Sequence, residues 1–419
     1  MSHYKSALMT TLTERGYLYQ CTDEDGLDKL ASNETVTGYI GFDCTAPSLH
    51  VGSLVQIMML RHLQKSGGRP IVLLGGGTTK IGDPSDKDKS RPILTPDLIA
   101  KNKDGIQRVF AQFLDFDGPN AAIMVDNNDW LGNLGYIDFL RDVGKLFTVN
   151  RMVTMETVKR RLENEQPMTF LEFNYPLLQS YDFVELNRRH GCALQLGGSD
   201  QWGNIVTGVD LTRRMEGNDV YGFTTPLITT ASGGKMGKTA DGAMWLNADA
   251  SISDAHFKSA YDYWQFWRNT DDADVGRFMR LFTELSLDEI AKFEALEGAD
   301  INTAKIRLAN AATEMLHGAD AAKLAEETAK TTFEQGGAAA GLPTFDADIN
   351  GMLVVDAAIL AGLAASKGEA RRHIKASALK LNDVKVESHE DVLSASDLNP
   401  NGVIKISVGK KRHALIKPI

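Results

Sequence analysis

The sequence predicts an α/β protein built on a doubly wound parallel sheet, followed by a small helical domain and a compact C-terminal α+β unit. Three observations lead there. Residues 36 to 75 alternate strand-like, loop, helix-like and strand-like stretches; residues 250 to 333 turn to amphipathic helical patterns; and basic residues gather beyond Gly351.

The first stretch reads VTGYIGFD, then CTAPSLHVG, then SLVQIMMLRHLQKSG, then PIVLLGG, which is a βαβ unit. Leu54, Ile57, Met58 and Leu63 mark its helical period, and Gly67 and Gly68 stop the helix. Strand-like AAIMVD (121–126) and ALQLGG (193–198) alternate with helix-like YIDFLRDVGKLF and GNIVTGVDLTRRM, so the α/β pattern runs to about residue 230. DADVGRFMRLFTEL, SLDEIAKFEALE and NTAKIRLANAATEMLHG then predict helices. TTFEQGGAAAGLPTFDADING has no period and reads as a linker. The expected domains are 1–248, with an insertion near 130–165, then 249–333, a linker at 334–351, and 352–419.

Composition narrows the classes. At 419 residues, with 43% hydrophobic and 24% charged residues, the chain has the make-up of a multi-domain globular protein. No run approaches the ~20 apolar residues of a membrane span, and the first residues lack a signal-peptide core. Cys21, Cys44 and Cys192 are widely spaced, which suggests neither a disulfide framework nor a zinc site and predicts a cytoplasmic location. The net charge of −10 is uneven: from Gly351 onward 11 Lys and Arg face 7 Asp and Glu, a net +4.

Two segments carry phosphate chemistry. Cys44 to Ser53 lies at the carboxyl end of the first strand, where ligands bind in open α/β sheets and where the next helix offers N–H groups and its positive dipole end. Gly52 there would let a nucleotide approach the backbone. Considered alone, the segment is equally a strand-to-helix loop with one exposed histidine. Ser232 to Thr239 places Lys235 and Lys238 in a glycine-rich loop able to clamp a polyphosphate. It is not a P-loop, because Ser232 stands at the first glycine position; a solvated lysine turn is the plain alternative.

Taken together, His50-Val51-Gly52-Ser53 and Lys235-Met236-Gly237-Lys238-Thr239 resemble the two signatures of class I aminoacyl-tRNA synthetases. Tyr39 to Asp43, Gly82 to Ser85, Tyr175 to Asp182 and Gln195 to Asn204 look like the tyrosyl-tRNA synthetase branch, which the chain resembles from about residue 5 to its end. The chain departs at Ser53, where the signature has a second histidine, at Gly237 and Thr239, and at Cys44 in place of a common proline.

The resemblance implies a Rossmann-like catalytic domain that joins tyrosine and ATP into tyrosyl-adenylate and passes the tyrosyl group to tRNA(Tyr). Thr45, His50, Lys235, Lys238 and Thr239 would be catalytic. Tyr39 and Asp182 would bind the phenolic hydroxyl, and Asp83, Tyr175, Gln179 and Gln201 the rest of tyrosine. Gly41, Asp43, His50, Gly52, Ser53, Gly198, Asp200 and Lys238 would bind ATP, which brings Mg²⁺ on its phosphates; no tightly bound cofactor or protein metal site is expected. A symmetric homodimer through 130–165 is expected too.

The residues agree in part on their own terms. Pro176 suits a first helical turn, and Tyr175, Gln179 and Asp182 share a face of that helix, although a polar outer face is the simpler use of such a pattern. Asp200 after a Gly-Gly turn can accept from ribose hydroxyls, or Ser199 or Asp200 can cap the next helix. In the C-terminal unit Lys367, Arg371 and Arg372 on a helix and Lys410, Lys411 and Arg412 near a strand can meet the phosphates of folded RNA, or form a solvated basic face.

Overall fold

The computed structural model describes all residues except 1–2, 85–93, 232, 235, 237, 240–241, 336–341, 400–401 and 410–411, and the backbone but not the side chains of 238, 239, 242, 254 and 332–335. The chain clusters into two compact units. The first holds Met1–Lys238, Ala243–Phe257 and Asp271–Leu296; the second holds Thr239–Gly242, Lys258–Thr270 and Glu297–Ile419.

The first unit is built on six strands, Gln20–Cys21 (β1), Thr37–Phe42 (β2), Arg69–Leu74 (β3), Ile123–Asp126 (β4), Leu194–Gly198 (β5) and Tyr221–Thr225 (β6), in the order β1-β6-β5-β2-β3-β4. Every pairing is parallel except that of β1 with β6. Parallel strands covered on both faces are apolar throughout, and β3, β5 and β6 are buried along almost their whole length. The chain winds from β2 to β3 and β4 on one side and from β5 to β6 on the other. The direction reverses between β2 and β5, where Tyr39 pairs with Gln195, and a crevice opens there at the carboxyl ends.

The crossover helix Leu54–Lys65 buries Leu54, Ile57, Met58 and Leu63 as the period predicts, and Gly67 ends it at φ +88°. Helices Tyr175–His190 and Trp202–Glu216 pack side by side, each closed by a left-handed glycine, Gly191 or Gly217. Two short strands, Lys238–Thr239 (β7) and Gly242–Ala243 (β8), follow.

The helices expected over 249–333 are present, but the segment does not cluster as one body. Helices Val275–Phe282 and Leu287–Glu294 belong to the first unit. The cause is long-range: Arg15 donates to the carbonyls of Arg280, Thr283 and Leu285, and the Tyr17 hydroxyl to that of Leu281. Those of Arg280, Leu281 and Thr283 are carbonyls that the end of helix Val275–Phe282 leaves without intrahelical partners. Helices Ala260–Arg268, Ile301–His317 and Ala319–Gln335 pack together in the second unit.

The expected linker at 334–351 is corrected by a strand inside it. Thr344–Ala347 (β9) pairs in parallel with Arg412–Pro418 (β13), at the edge of a sheet ordered β11-β10-β12-β13-β9, where β10 is Leu379–Leu381, β11 Val384–Lys385 and β12 Ile404–Val408. Four edge residues, two of them exposed, show no period to read. Helices Val354–Leu360 and Lys367–Lys375 share a core with Leu379, Ile404, Ile406 and Ile416.

Candidate active site

The crevice holds a cavity of about 440 Å³. It is lined by Tyr39, Gly41, Asp43, Thr45, His50, Gly52, Ser53, Asp83, Tyr175, Gln179, Asp182, Gly198, Asp200 and Gln201, residues from four separate stretches of chain. Lys235 lies outside the described residues, and for Lys238 and Thr239 only the backbone, as β7, is described.

The loop after β2 is held on three sides. The Cys44 N–H donates to Thr79 Oγ1 (2.8 Å) and its carbonyl accepts from Asn102 Nδ2 (2.8 Å). Gly105, on the helix Pro96–Phe110, lies so close that a Cβ would sit 1.9 Å from the Pro47 carbonyl oxygen, so only glycine lets that helix reach the loop. Burial pushes the Cys44 thiol up to about 12, well away from a reactive thiolate.

His50 begins the short 3₁₀ turn Val51–Ser53, and its Nδ1 accepts from the Gly52 N–H at 2.9 Å. A neutral imidazole so placed carries its proton on Nε2. A Cβ at position 52 would meet His50 Cε1 at 2.6 Å and the Met236 carbonyl at 3.0 Å. The imidazole itself is the immediate reason for glycine. Ser53 precedes the helix without a side-chain capping bond.

At the other side the polar groups are linked. Gln201 Nε2 donates to Asp83 Oδ2 (3.0 Å) and Asp200 Oδ2 (3.1 Å), Gln179 Nε2 donates to Gln201 Oε1 (3.3 Å), and Asn204 Nδ2 donates to Gln179 Oε1 (2.9 Å). The capping alternative for Ser199 or Asp200 does not hold: a 3₁₀ turn over Ser199–Gln201 leads into the helix, and neither start has a side-chain capping bond.

The deep end is buried. Asp182 is 2% exposed, and its Oδ1 accepts from Trp130 Nε1 (2.8 Å) and its Oδ2 from Asn127 Nδ2 (3.0 Å). Burial pushes its carboxyl up to about 7; those two hydrogen bonds oppose the shift, and the nearby Asp43 and Asp126 charges add to it. The Tyr39 hydroxyl is buried beside it with no hydrogen-bond partner among the described residues, and Gln195 Oε1, also facing the cavity, has none. A buried polar atom left so costs about 1–3 kcal/mol, which suits a site completed by a ligand.

Asn127 and Trp130 are not marked by the sequence reasoning, and Gln195 enters it only as the first residue of a family-like segment, without a role. Asn127 directly follows AAIMVD, at the carboxyl end of a strand, so its position was a usable signal; nothing local marked the indole of Trp130 as a donor to residue 182.

In the C-terminal unit Arg371 and Arg372 are exposed on their helix, Lys367 pairs with Asp356 at 2.7 Å, and half-buried Arg412 donates to the Gly362 carbonyl at 2.9 Å. Lys410 and Lys411 lie outside the described residues.

Comparison with known proteins agrees with this architecture. Residues 31–334 match the family described as tRNA synthetases class I (W and Y), and residues 333–416 match the tyrosine–tRNA ligase SYY-like C-terminal domain. The tyrosine–tRNA ligase of Nitrobacter winogradskyi is 56% identical over 100% of both chains; that of Methylocella silvestris is 57% identical over 99% of this chain and 98% of its own. Among solved structures, a C-terminally truncated mitochondrial tyrosyl-tRNA synthetase of Aspergillus nidulans superposes with a TM-score of 0.69 at 29% identity, covering 78% of this chain and 95% of its own. With its parallel sheet, its crevice at the β2/β5 switch and its matched C-terminal unit, the chain belongs to the class I tyrosine–tRNA ligase family.

Proposed function

We propose that this chain activates L-tyrosine with ATP to tyrosyl-adenylate and pyrophosphate, then transfers the tyrosyl group to the 3′ end of tRNA(Tyr). The observation that carries the reading is the pairing, at the buried end of the cavity, of a Tyr39 hydroxyl unpartnered among the described residues with the held carboxylate of Asp182. A phenol fits both groups: its O–H donates to Asp182 and its oxygen accepts from Tyr39. Asp83, Tyr175, Gln179 and Gln201 then meet the α-ammonium end.

The tyrosine carboxylate is already ionised, so attack on the α-phosphorus needs no general base; catalysis rests on alignment and on charge stabilisation at the phosphates. Thr45, His50, Lys235, Lys238 and Thr239 supply the latter, with His50 Nε2 as a fixed donor. Gly41, Asp43, Gly52, Ser53, Gly198 and Asp200 hold the nucleotide. Mg²⁺ arrives on the ATP phosphates. Arg371, Arg372, Lys367 and Arg412, with Lys410 and Lys411, meet the tRNA backbone.

A homodimer is supported by an apolar surface in and beside the 130–165 segment: Tyr136, Ile137, Val149, Leu162, Phe170 and Leu171 are all exposed. A cytoplasmic site of action goes with this reading; no helix among the described residues is long and apolar enough to cross a membrane.

The test is amino-acid-dependent exchange of labelled pyrophosphate into ATP, screened over all twenty amino acids. Tyrosine alone should support it, and exchange with tryptophan instead would overturn the reading. A chain ending at Gln335, before β9, should keep exchange and lose most tRNA charging; unchanged charging kcat/KM would remove the RNA role of the C-terminal unit.

A further inference from the structure

The lysine loop is fastened at its base by two residues that do not line the cavity. Within the loop, Gly233 N–H donates to the Thr230 carbonyl and Thr230 N–H to that of Gly234, so the turn closes on itself. Its attachment to the rest of the unit runs through the start of helix Val275–Phe282. Asp274, 3% exposed, accepts the Ala231 N–H on Oδ2 at 2.6 Å and Arg277 Nη2 on Oδ1 at 2.5 Å, and the same Arg277 nitrogen donates to the Thr229 carbonyl at 2.5 Å.

The far end of that helix is fixed to the other half of the site. Glu284, two residues past the helix, takes two bonds from Arg61 (2.7 and 2.9 Å) and pairs with Lys65 at 2.7 Å. Both cations stand on the Leu54–Lys65 helix, whose first turn follows His50, Gly52 and Ser53. One eight-residue helix therefore ties the base of the lysine loop to the helix that carries the histidine segment.

We propose that Asp274 and Arg277 are positioning residues for tyrosine activation, holding the lysine loop in register with His50 so that Lys238 meets the phosphates. The proposal rests on the reading of Lys238 given above. Charge stabilisation by a fixed cation depends on placement to about an ångström, and loss of that placement costs on the order of 100-fold in rate. Tyrosine binding, placed at the buried end, does not depend on it.

The test is pyrophosphate exchange and single-turnover adenylate formation by full-length Asp274→Ala, Arg277→Ala, Arg277→Lys, Lys238→Ala and the Asp274→Ala/Lys238→Ala pair. Asp274→Ala and Arg277→Ala should lower the adenylation rate roughly 10- to 100-fold with KM for tyrosine changed less than about twofold, and Arg277→Lys should recover part of the loss. Because the clamp acts through the lysine, the double variant should be no slower than Lys238→Ala alone. Should Asp274→Ala fold poorly, the half-exposed Arg277 carries the test. A normal rate in the clamp variants beside a slow Lys238→Ala overturns the positioning role alone. Full additivity in the double variant, or a rise in tyrosine KM that matches the fall in rate, marks the clamp as merely structural and overturns it too. A normal rate in Lys238→Ala overturns the reading beneath it.

Discussion

Asp182 and Glu284 sit in the same unit, are both held by two side chains, and are driven in opposite directions. Burial pushes Asp182 up to about 7. Burial also works against the Glu284 anion, but the hydrogen bonds from Arg61 and Lys65 prevail and bring it down to about 2. The difference is the charge of the donors. Asn127 and Trp130 are neutral, so they orient Asp182 without compensating its loss of water, whereas Arg61 and Lys65 neutralise Glu284 as well. One carboxylate is oriented at a cost in stability, as the proposed partner of a substrate hydroxyl; the other contributes stability. Cations beside Asp182 would have made a sturdier protein and a site already filled.

The contrast predicts opposite pH dependences, and the largest effect belongs to Asp182. A raised acid contributes stability that is fully present below its ordinary value near 4 and is lost as pH rises through about 7. Asp182→Asn should remove roughly 2–4 kcal/mol of that loss between pH 4 and pH 8, read as a flatter slope in urea unfolding. An unchanged slope would show that Asp182 is ionised without penalty. Next, Asp182→Ala should lower kcat/KM for tyrosine in pyrophosphate exchange by about 100-fold while that for phenylalanine moves little, since only tyrosine loses a bonded partner. An unaltered tyrosine-to-phenylalanine ratio would reduce Asp182 to a structural residue.

For Glu284 the sign reverses. Its stabilisation is present above its ordinary value near 4.5 and fades as pH falls toward 2. Glu284→Gln should therefore cost about 1–2 kcal/mol at pH 7, discounted for partial exposure, and almost nothing near pH 2. An equal cost at both pH values would assign the loss to packing. The smallest change is expected from Trp130→Phe, which removes one neutral donor from Asp182 and should raise its titration midpoint further, by about 1 kcal/mol of free energy. A downward shift would mean that water has entered to replace the indole.

What could be read in advance was whatever is written locally. The βαβ unit shows itself because the Leu54–Lys65 helix and its flanking strands are continuous stretches, and Gln179 and Asp182 share a helical face that the structure turns into the cavity. β1 and β9 escaped notice because a strand of two or four residues exists only through a partner, Phe223–Thr224 in one case and Leu415–Pro418 in the other. The attachment of Asp271–Leu296 to the first unit escaped for the same reason: its helices are amphipathic, but nothing in their period says which surface receives them. At the site, residue types announced the carboxylates and lysines. The groups that hold Asp182, Asn127 and Trp130, follow the end of another strand, Ile123–Asp126.

The three carbonyls that Arg15 caps belong to residues 265 to 270 positions later in the chain. At a synthesis rate of about 5–20 residues per second, roughly 15–50 s pass between the arginine and its partners. Through that interval a guanidinium destined for burial and the Tyr17 hydroxyl have only water or passing contacts, although β2 and β3 can already pair. The helix Ala7–Glu14 can thus pack early on Glu24–Asn33 and Leu54–Lys65, while the turn that follows it gains its last partners only once Leu285 has been made.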